Sequence, residues 1–509
     1  MTIARIDNCG VGLNSDLTPE ELGSGVWSAV ENMRFRNGYA EKFKGSKQAF
    51  TTPVITPYFL TPYTTTTKRY WVYAGLTAIY ADDGTTQTNI TGTAPTGAID
   101  DRWTGGSLNG VLVLNNGKDV PVFWGGTGTA ATLTGWTSTW RAQAVRPFKN
   151  FIIALNITKS TTNYPNMVKW SDIAVPGAIP TSWDETNPAL DAGEVDLAET
   201  PDKLVDCLPL GDVNIIYKER SMYAQTYIGA PYIFRFQRLP GNYGMLARGC
   251  AAATPLGHVV LSAGDVVLCN GSTVTSIANG AVRDYIFKNI SPTYYMRAFV
   301  TVNQNANEVW VCFPFGDSAA CNVAAVWNWD SKAWGLRTLS NVTCGDSGQY
   351  NFDLSSSSTW ADSDTWDTDA TEWNENELSP AAARLVLGHT TPALSIQDIG
   401  TTDFGLAMSC KIERTGISFG DGIGVKTIRS VYPRLEGTQG SVVNIQVGAS
   451  MYPDNAPTWG TSQPFTIGST IKVDSIVTGR FLSVRFTTSD YPNWRIKSFD
   501  IDYVAAGLF

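Results

Sequence analysis

The sequence predicts a mainly β protein: a degenerate β-propeller body with an additional β-sandwich-like C-terminal unit. Three observations carry this reading. The 509 residues hold 17 Trp, 20 Tyr, 21 Phe and 47 Gly but only 16% charged residues, where a typical soluble protein has about 25%. Aromatic and β-branched side chains pack on pleated surfaces, and Gly turns the chain. Short apolar runs separated by turn signals recur from residue 51 to 350, the spacing of a sandwich, barrel or propeller. Residues 405–509 instead alternate apolar and polar positions, as a sheet with one wet face does.

The elements follow in order. Leu17-Thr-Pro-Glu-Glu-Leu22 starts like a short helix, with Thr18 as cap and Gly23 as stop. Asn37-Gly38 lies between two apolar-polar stretches and predicts a hairpin. Residues 1–50 thus read as an N-terminal arm with the first strands, a platform for docking. Residues 51–404 read as the propeller-like body. Its strands include Arg69–Ala74, Val111–Leu114, Phe151–Leu155, Asn214–Tyr217, His258–Leu261 and Glu308–Phe313, and its turns Asp83-Gly84, Asn116-Gly117, Asn270-Gly271 and Asn279-Gly280. A unit of strand, turn, strand and closing aromatics recurs loosely. In its fourth instance Trp327, Trp329 and Trp334 flank the turn at Asp330-Ser-Lys, as in a blade's outer hairpin. A plain multi-sheet sandwich is the competing architecture. Residues 353–377 are an acidic, Trp-rich insertion, read as a surface loop anchored by Trp360, Trp366 and Trp373.

The formal net charge is −9. An acidic surface repels phosphate, which argues against tight nucleic-acid binding but suits a conduit through which DNA slides. Met1-Thr-Ile-Ala-Arg5 runs into Asp7-Asn8 with no apolar segment, so no signal peptide is expected. No apolar run approaches the roughly 18 residues of a membrane span.

The chemistry is sparse, and the sequence reads as that of a non-enzyme without cofactor or metal. The eight Cys include no C-x-x-C pair and read as free, buried thiols. His258 and His389 have no metal-like partner at helical spacing and read as surface or packing residues. There is no G-x-S-x-G elbow. Gly420-Asp-Gly-Ile-Gly424 lacks a following helix and reads as a turn. Asp184, Glu185, Asp191, Glu194 and Asp196 read as solvated loop acids, with a glycosidase-like carboxylate pair as the alternative. Asp362, Asp364, Asp367 and Asp369 lack the spacing of a calcium loop. Arg34-Phe-Arg36 and Arg235-Phe-Gln-Arg238 make Arg34, Arg36, Arg235 and Arg238 candidate subunit-interface residues, since interfaces favour Arg and aromatics. A strand with a charged outer face explains the same pattern.

Glu31-Asn-Met-Arg-Phe-Arg-Asn-Gly-Tyr-Ala-Glu-Lys-Phe-Lys-Gly45 resembles the opening of tail nozzle proteins of short-tailed phages (podoviruses), also called tail tubular protein B, and of related DNA-stabilisation hub proteins. Asn32, Gly38, Lys42 and Gly45 fit the pattern. The resemblance implies a virion protein of the phage tail, made in the host cytoplasm. Six copies would form a ring below a head-to-tail adaptor protein, alongside tail fibre proteins, with transient, non-specific passage of double-stranded DNA through the lumen. Loops narrowing that channel would gate ejection. The alternative is a carbohydrate-binding or carbohydrate-cleaving β-propeller acting in receptor binding.

Overall fold

The computed structural model describes residues 2–349, 383–453, 455–489 and 491–508. The insertion with Trp360, Trp366 and Trp373, and its aspartate cluster, lies outside the described residues.

Seven four-stranded antiparallel blades make up the body. Blade 1 is Phe59–Thr64, Arg69–Ala74, Ile79–Asp82 and Gln87–Asn89, and blade 2 is Thr104–Leu108, Val111–Asn115, Val122–Trp124 and Ala131–Thr132. Blade 3 is Trp140–Phe148, Phe151–Lys159, Thr162–Trp170 and Gly193–Asp196, and blade 4 is Leu204–Leu210, Val213–Lys218, Met222–Gly229 and Ile233–Arg238. Blade 5 is Ala251–Thr254, Gly257–Ser262, Asp265–Cys269 and Val274–Ser276. Blade 6 is Phe299–Asn303, Glu308–Phe313, Cys321–Asn328 and the first part of the long strand Ala333–Gln349. That strand bends and its second part becomes the innermost strand of blade 7, followed by Ala383–His389 and Leu394–Gln397. The outermost strand of blade 7 is Ser46–Gln48, from the other end of the chain. The innermost strands touch in cyclic order, and blade 7 meets blade 1, so the ring is closed.

The apolar runs of the sequence are mostly the second strands of blades. Val111–Asn115, Gly257–Ser262 and Glu308–Phe313 are buried at every position, because a blade's middle is covered on both faces by its neighbours. Such strands read as continuous hydrophobic runs rather than alternating ones. Asp83-Gly84, Asn116-Gly117 and Asn270-Gly271 join third or fourth strands as expected. Asn279-Gly280 instead leads into the helix Arg283–Asn289. Trp327 pairs directly with Trp334 across the outer hairpin of blade 6.

Residues 1–50, expected as an arm, pair at both ends of the chain. Thr2–Ile6 runs along Trp494–Leu508, and Ala29–Glu31 pairs with Cys410–Ile417. The hairpin Met33–Arg36/Tyr39–Lys42 bridges Trp494–Leu508 on one side and blade 6 at Leu336 on the other. With Gly424–Gly437, Val442–Ser450, Val473–Gly479 and Phe481–Thr488 these strands form two packed sheets. Trp27 fills the space between them, its ring 6.1 Å from Phe486 and 5.9 Å from Phe499. The sandwich core is continuous with that of blades 5 and 6.

The expected helix at Leu17–Leu22 is only a single turn. Glu21 N donates to Thr18 O at 3.0 Å. Arg414 takes the carbonyls of Pro19 and Leu22, both at 2.7 Å, which a helix would need for its own ladder. Among the described residues no helix is long and apolar enough to cross a membrane.

Candidate functional site

The motif residues gather at the junction of sandwich and propeller. Asn32 has φ +53°, a conformation that Asn tolerates better than most residues. Its Oδ1 accepts from the backbone and hydroxyl of Thr338 in blade 6, at 2.8 and 2.9 Å, and its Nδ2 donates to Ser409 O at 2.8 Å. One amide therefore ties the propeller to the sandwich. Asn37 and Gly38 both take positive φ, the requirement of a tight type I′ hairpin. Lys42 is buried, with Nζ 3.4 Å from Pro492 O. At Gly45 any Cβ would overlap the Thr402 carbonyl.

Arg34 does not serve as a surface contact. It is 2% exposed and holds Glu41 at 2.9 Å, Asp398 at 2.9 Å and Glu308 at 3.6 Å. Glu308 belongs to blade 6, and Asp398 follows blade 7. Burial pushes the Glu308 carboxyl up, and Arg34 pulls against it. Burial also works against the Asp398 carboxylate, but Arg34 and Asn303 outweigh it and its pKa is lowered. The Phe43 ring carries both Arg34 and Arg337, at 5.0 and 5.5 Å. The Arg-aromatic pattern belongs to an internal ion cluster, because the hairpin is covered by blades 6 and 7. Arg36 reaches Glu41 at 2.7 Å and stays partly open, lining a cleft of about 280 Å³ with Lys44, Glu436 and Arg495. Arg235 and Arg238 are exposed on the outermost strand of blade 4.

The acids at 184–196 are not all loop residues. Gly193–Asp196 is the outer strand of blade 3, and its register sets Glu194 opposite Lys169. Lys169 is fully buried and contacts Glu185 at 2.5 Å and Glu194 at 3.0 Å, while Lys159 contacts Glu194 at 2.7 Å. Both ammonium groups lie 5.0 Å from the Trp140 ring. These carboxylates are held by lysines.

Both histidines are buried. His258 Nε2 donates to Pro209 O at 2.9 Å, so Nδ1 accepts from Tyr217 Oη at 2.6 Å. His389 Nδ1 donates to Ser340 O at 3.0 Å, and Nε2 accepts from Ser395 at 2.7 Å. Burial lowers the pKa of each. All eight Cys are free and buried. Asp421 closes the 420–424 turn on the amides of Ile423 and Gly424, at 3.0 and 2.9 Å.

A cavity of about 320 Å³ sits on the propeller axis. Six blades contribute Leu60, Arg146, Leu208, Ala252, Val300 and Asp346, and Trp103 lines it from just ahead of blade 2. Arg102, Arg146 and Arg248 bring three guanidinium groups to its wall. Arg146 forks onto Asp206 at 2.9 and 2.8 Å and also donates to Gly105 O. Arg248 donates only to carbonyls, of Gln143 at 2.7 Å, Arg102 at 2.9 Å and Asp100 at 3.5 Å. Arg102 likewise reaches the carbonyls of Arg297 and Thr343. Burial pushes Arg248 down to about 10, against the pull of Asp206. Burial pushes Asp346 up to about 6, against bonds from Ser347 and Thr61 and the charge of Arg146. No local motif marks these arginines. The one sequence signal is Arg146 interrupting the apolar positions of Trp140–Phe148.

No family model and no curated protein matches the chain. Among solved structures, a computationally designed protein is similar over 69% of this chain and 100% of its own, with 11% identity and a TM-score of 0.36. The β-propeller domain of a Myceliophteria thermophila protein is similar over 70% of this chain and 99% of its own, with 7% identity and a TM-score of 0.41. The chain has the fold of a β-propeller joined to a β-sandwich, as its own strand pairing establishes.

Proposed function

We propose that this chain is a structural subunit of the tail nozzle of a short-tailed phage, a ring that conducts and gates DNA during ejection. One observation carries the reading. Of the four residues matching the nozzle opening, Asn32 bonds blade 6 and Ser409 with one amide, Gly38 turns the hairpin at positive φ, Lys42 is buried beside Pro492 O, and Gly45 lies against the Thr402 backbone where no side chain fits, so the motif runs along the seam of propeller and sandwich. The net charge of −9 suits a lumen that a polyanion must cross without sticking. Of the four candidate interface arginines, the partly open Arg36 and the exposed Arg235 and Arg238 can serve contacts between copies.

The sugar-binding reading has less support. Sugars stack on exposed aromatic faces, and among the described residues the exposed aromatics are scattered tyrosines such as Tyr232 and Tyr452, with no exposed Trp. Electron microscopy of the purified full-length chain with its adaptor ring tests the proposal. A closed ring of six below the adaptor is expected. Tail particles lacking the chain, or holding it in trimeric spikes, would overturn it.

A further inference from the structure

We propose that the axial cavity of the propeller is a binding site for a small oxyanion of the sulfate or phosphate class, free or as a phosphate monoester. Such a site would exist whether or not the chain is a nozzle subunit.

Three guanidinium groups line the cavity, and only one has a carboxylate partner in hydrogen-bonding contact. Arg146 is satisfied by Asp206, whose side chain is fully buried behind it. Arg102 and Arg248 make hydrogen bonds only to backbone carbonyls, and neither forms an ion pair among the described residues. Carbonyls orient a guanidinium but do not neutralise it. Arg102 and Arg248 are half-buried, and partly desolvated charges that face one cavity without a carboxylate partner favour an anion there. The fixed fork of a guanidinium suits the paired oxygens of sulfate and phosphate. The cavity has room for such an ion. Thr301 also lines the wall, while the Ser347 hydroxyl is already donated to Val302 O.

Asp346 also lines the cavity and opposes an anion when ionised. This gives a prediction of opposite sign. Removing an arginine charge weakens the site, and removing the aspartate charge strengthens it.

The test is isothermal titration of the full-length chain at constant ionic strength, with sulfate, inorganic phosphate and glycerol phosphate as probes. Saturable binding of one anion per chain is expected. Arg102→Gln and Arg248→Gln each weaken it by about tenfold or more, since charge-assisted bonds are the strong ones. Asp346→Asn tightens it, and Arg238→Gln on exposed blade 4 leaves it unchanged. Binding of the two inorganic ions alone marks a free-ion site. Binding of glycerol phosphate as well marks a site for phosphate monoesters. The proposal fails if no probe binds saturably to the native chain, or if Arg238→Gln weakens binding as much as Arg248→Gln. It also fails if Asp346→Asn leaves affinity unchanged or lower.

Discussion

The guanidinium of Arg34 lies 2.9 Å from the carboxylate of Asp398, 364 positions away in the chain. That contact joins the N-terminal hairpin to the end of blade 7, and Glu308 adds blade 6 to the same cluster. Arg34→Ala leaves two buried carboxylates without their cation. We expect a loss of about 3–5 kcal/mol in urea unfolding. Arg36→Ala removes a partly exposed pair and costs less than about 1 kcal/mol. Equal losses for the two variants would show that the cluster is not the joint described.

Gly45 and Gly110 separate two reasons for a glycine. A side chain at Gly45 collides with the Thr402 backbone. Gly110 has φ +86° but open space around it. Gly110→Ala is expected to cost about 1 kcal/mol through backbone strain alone. Gly45→Ala should cost clearly more, because blade 7 and the hairpin must move apart. Thermal unfolding of the two variants side by side checks the order.

Asp346 sets a pH dependence. Its folded pKa, about 6, stands above the ordinary value of 3.8. The folded state therefore binds the proton more tightly than the unfolded chain. The stability it confers is present below pH 3.8 and is lost as pH rises through 6. Asp346→Asn should stabilise the chain by about 1–3 kcal/mol at pH 8 and have little effect near pH 3.5. Denaturant midpoints at the two values measure the difference, and a gain confined to low pH would contradict it.

The thiols offer a chemical check on the fold. Burial pushes Cys207, Cys250 and Cys410 up to about 12 and Cys344 up to about 11. Thiolates are the reactive species. A disulfide exchange reagent should therefore find almost no thiol in the native chain and all eight in denaturant. Fast reaction of several native thiols would mean that the blades open.

The blade strands were legible because their middles are covered on both faces, which leaves runs such as Val111–Leu114 and Val309–Phe313 without polar interruptions. The period-two strands of 405–509 were legible for the opposite reason: Val473–Gly479 has one wet face. The outer strand of blade 7, Ser46–Gln48, was not legible. Three residues carry no period, and their partner lies nearly 350 positions on. Arg34 was misjudged because Arg beside Phe looks the same in an interface and in a buried ion cluster. Arg102, Arg146 and Arg248 escaped notice because only the closed ring brings them together.

The borrowed strand of blade 7 also fixes when the molecule can finish folding. Ser46–Gln48 pairs with Ser395–Gln397, and Thr2–Ile6 pairs with Phe499–Tyr503. A ribosome releases the first of each pair long before it makes the second. The N-terminal strands must wait, unpaired, while most of the blades are synthesised. Contacts so distant in sequence carry a large closure entropy and slow the final step. The same arrangement means that a chain ended before these partners keeps both seams open, so neither the propeller nor the sandwich can close until the second strand of each pair exists.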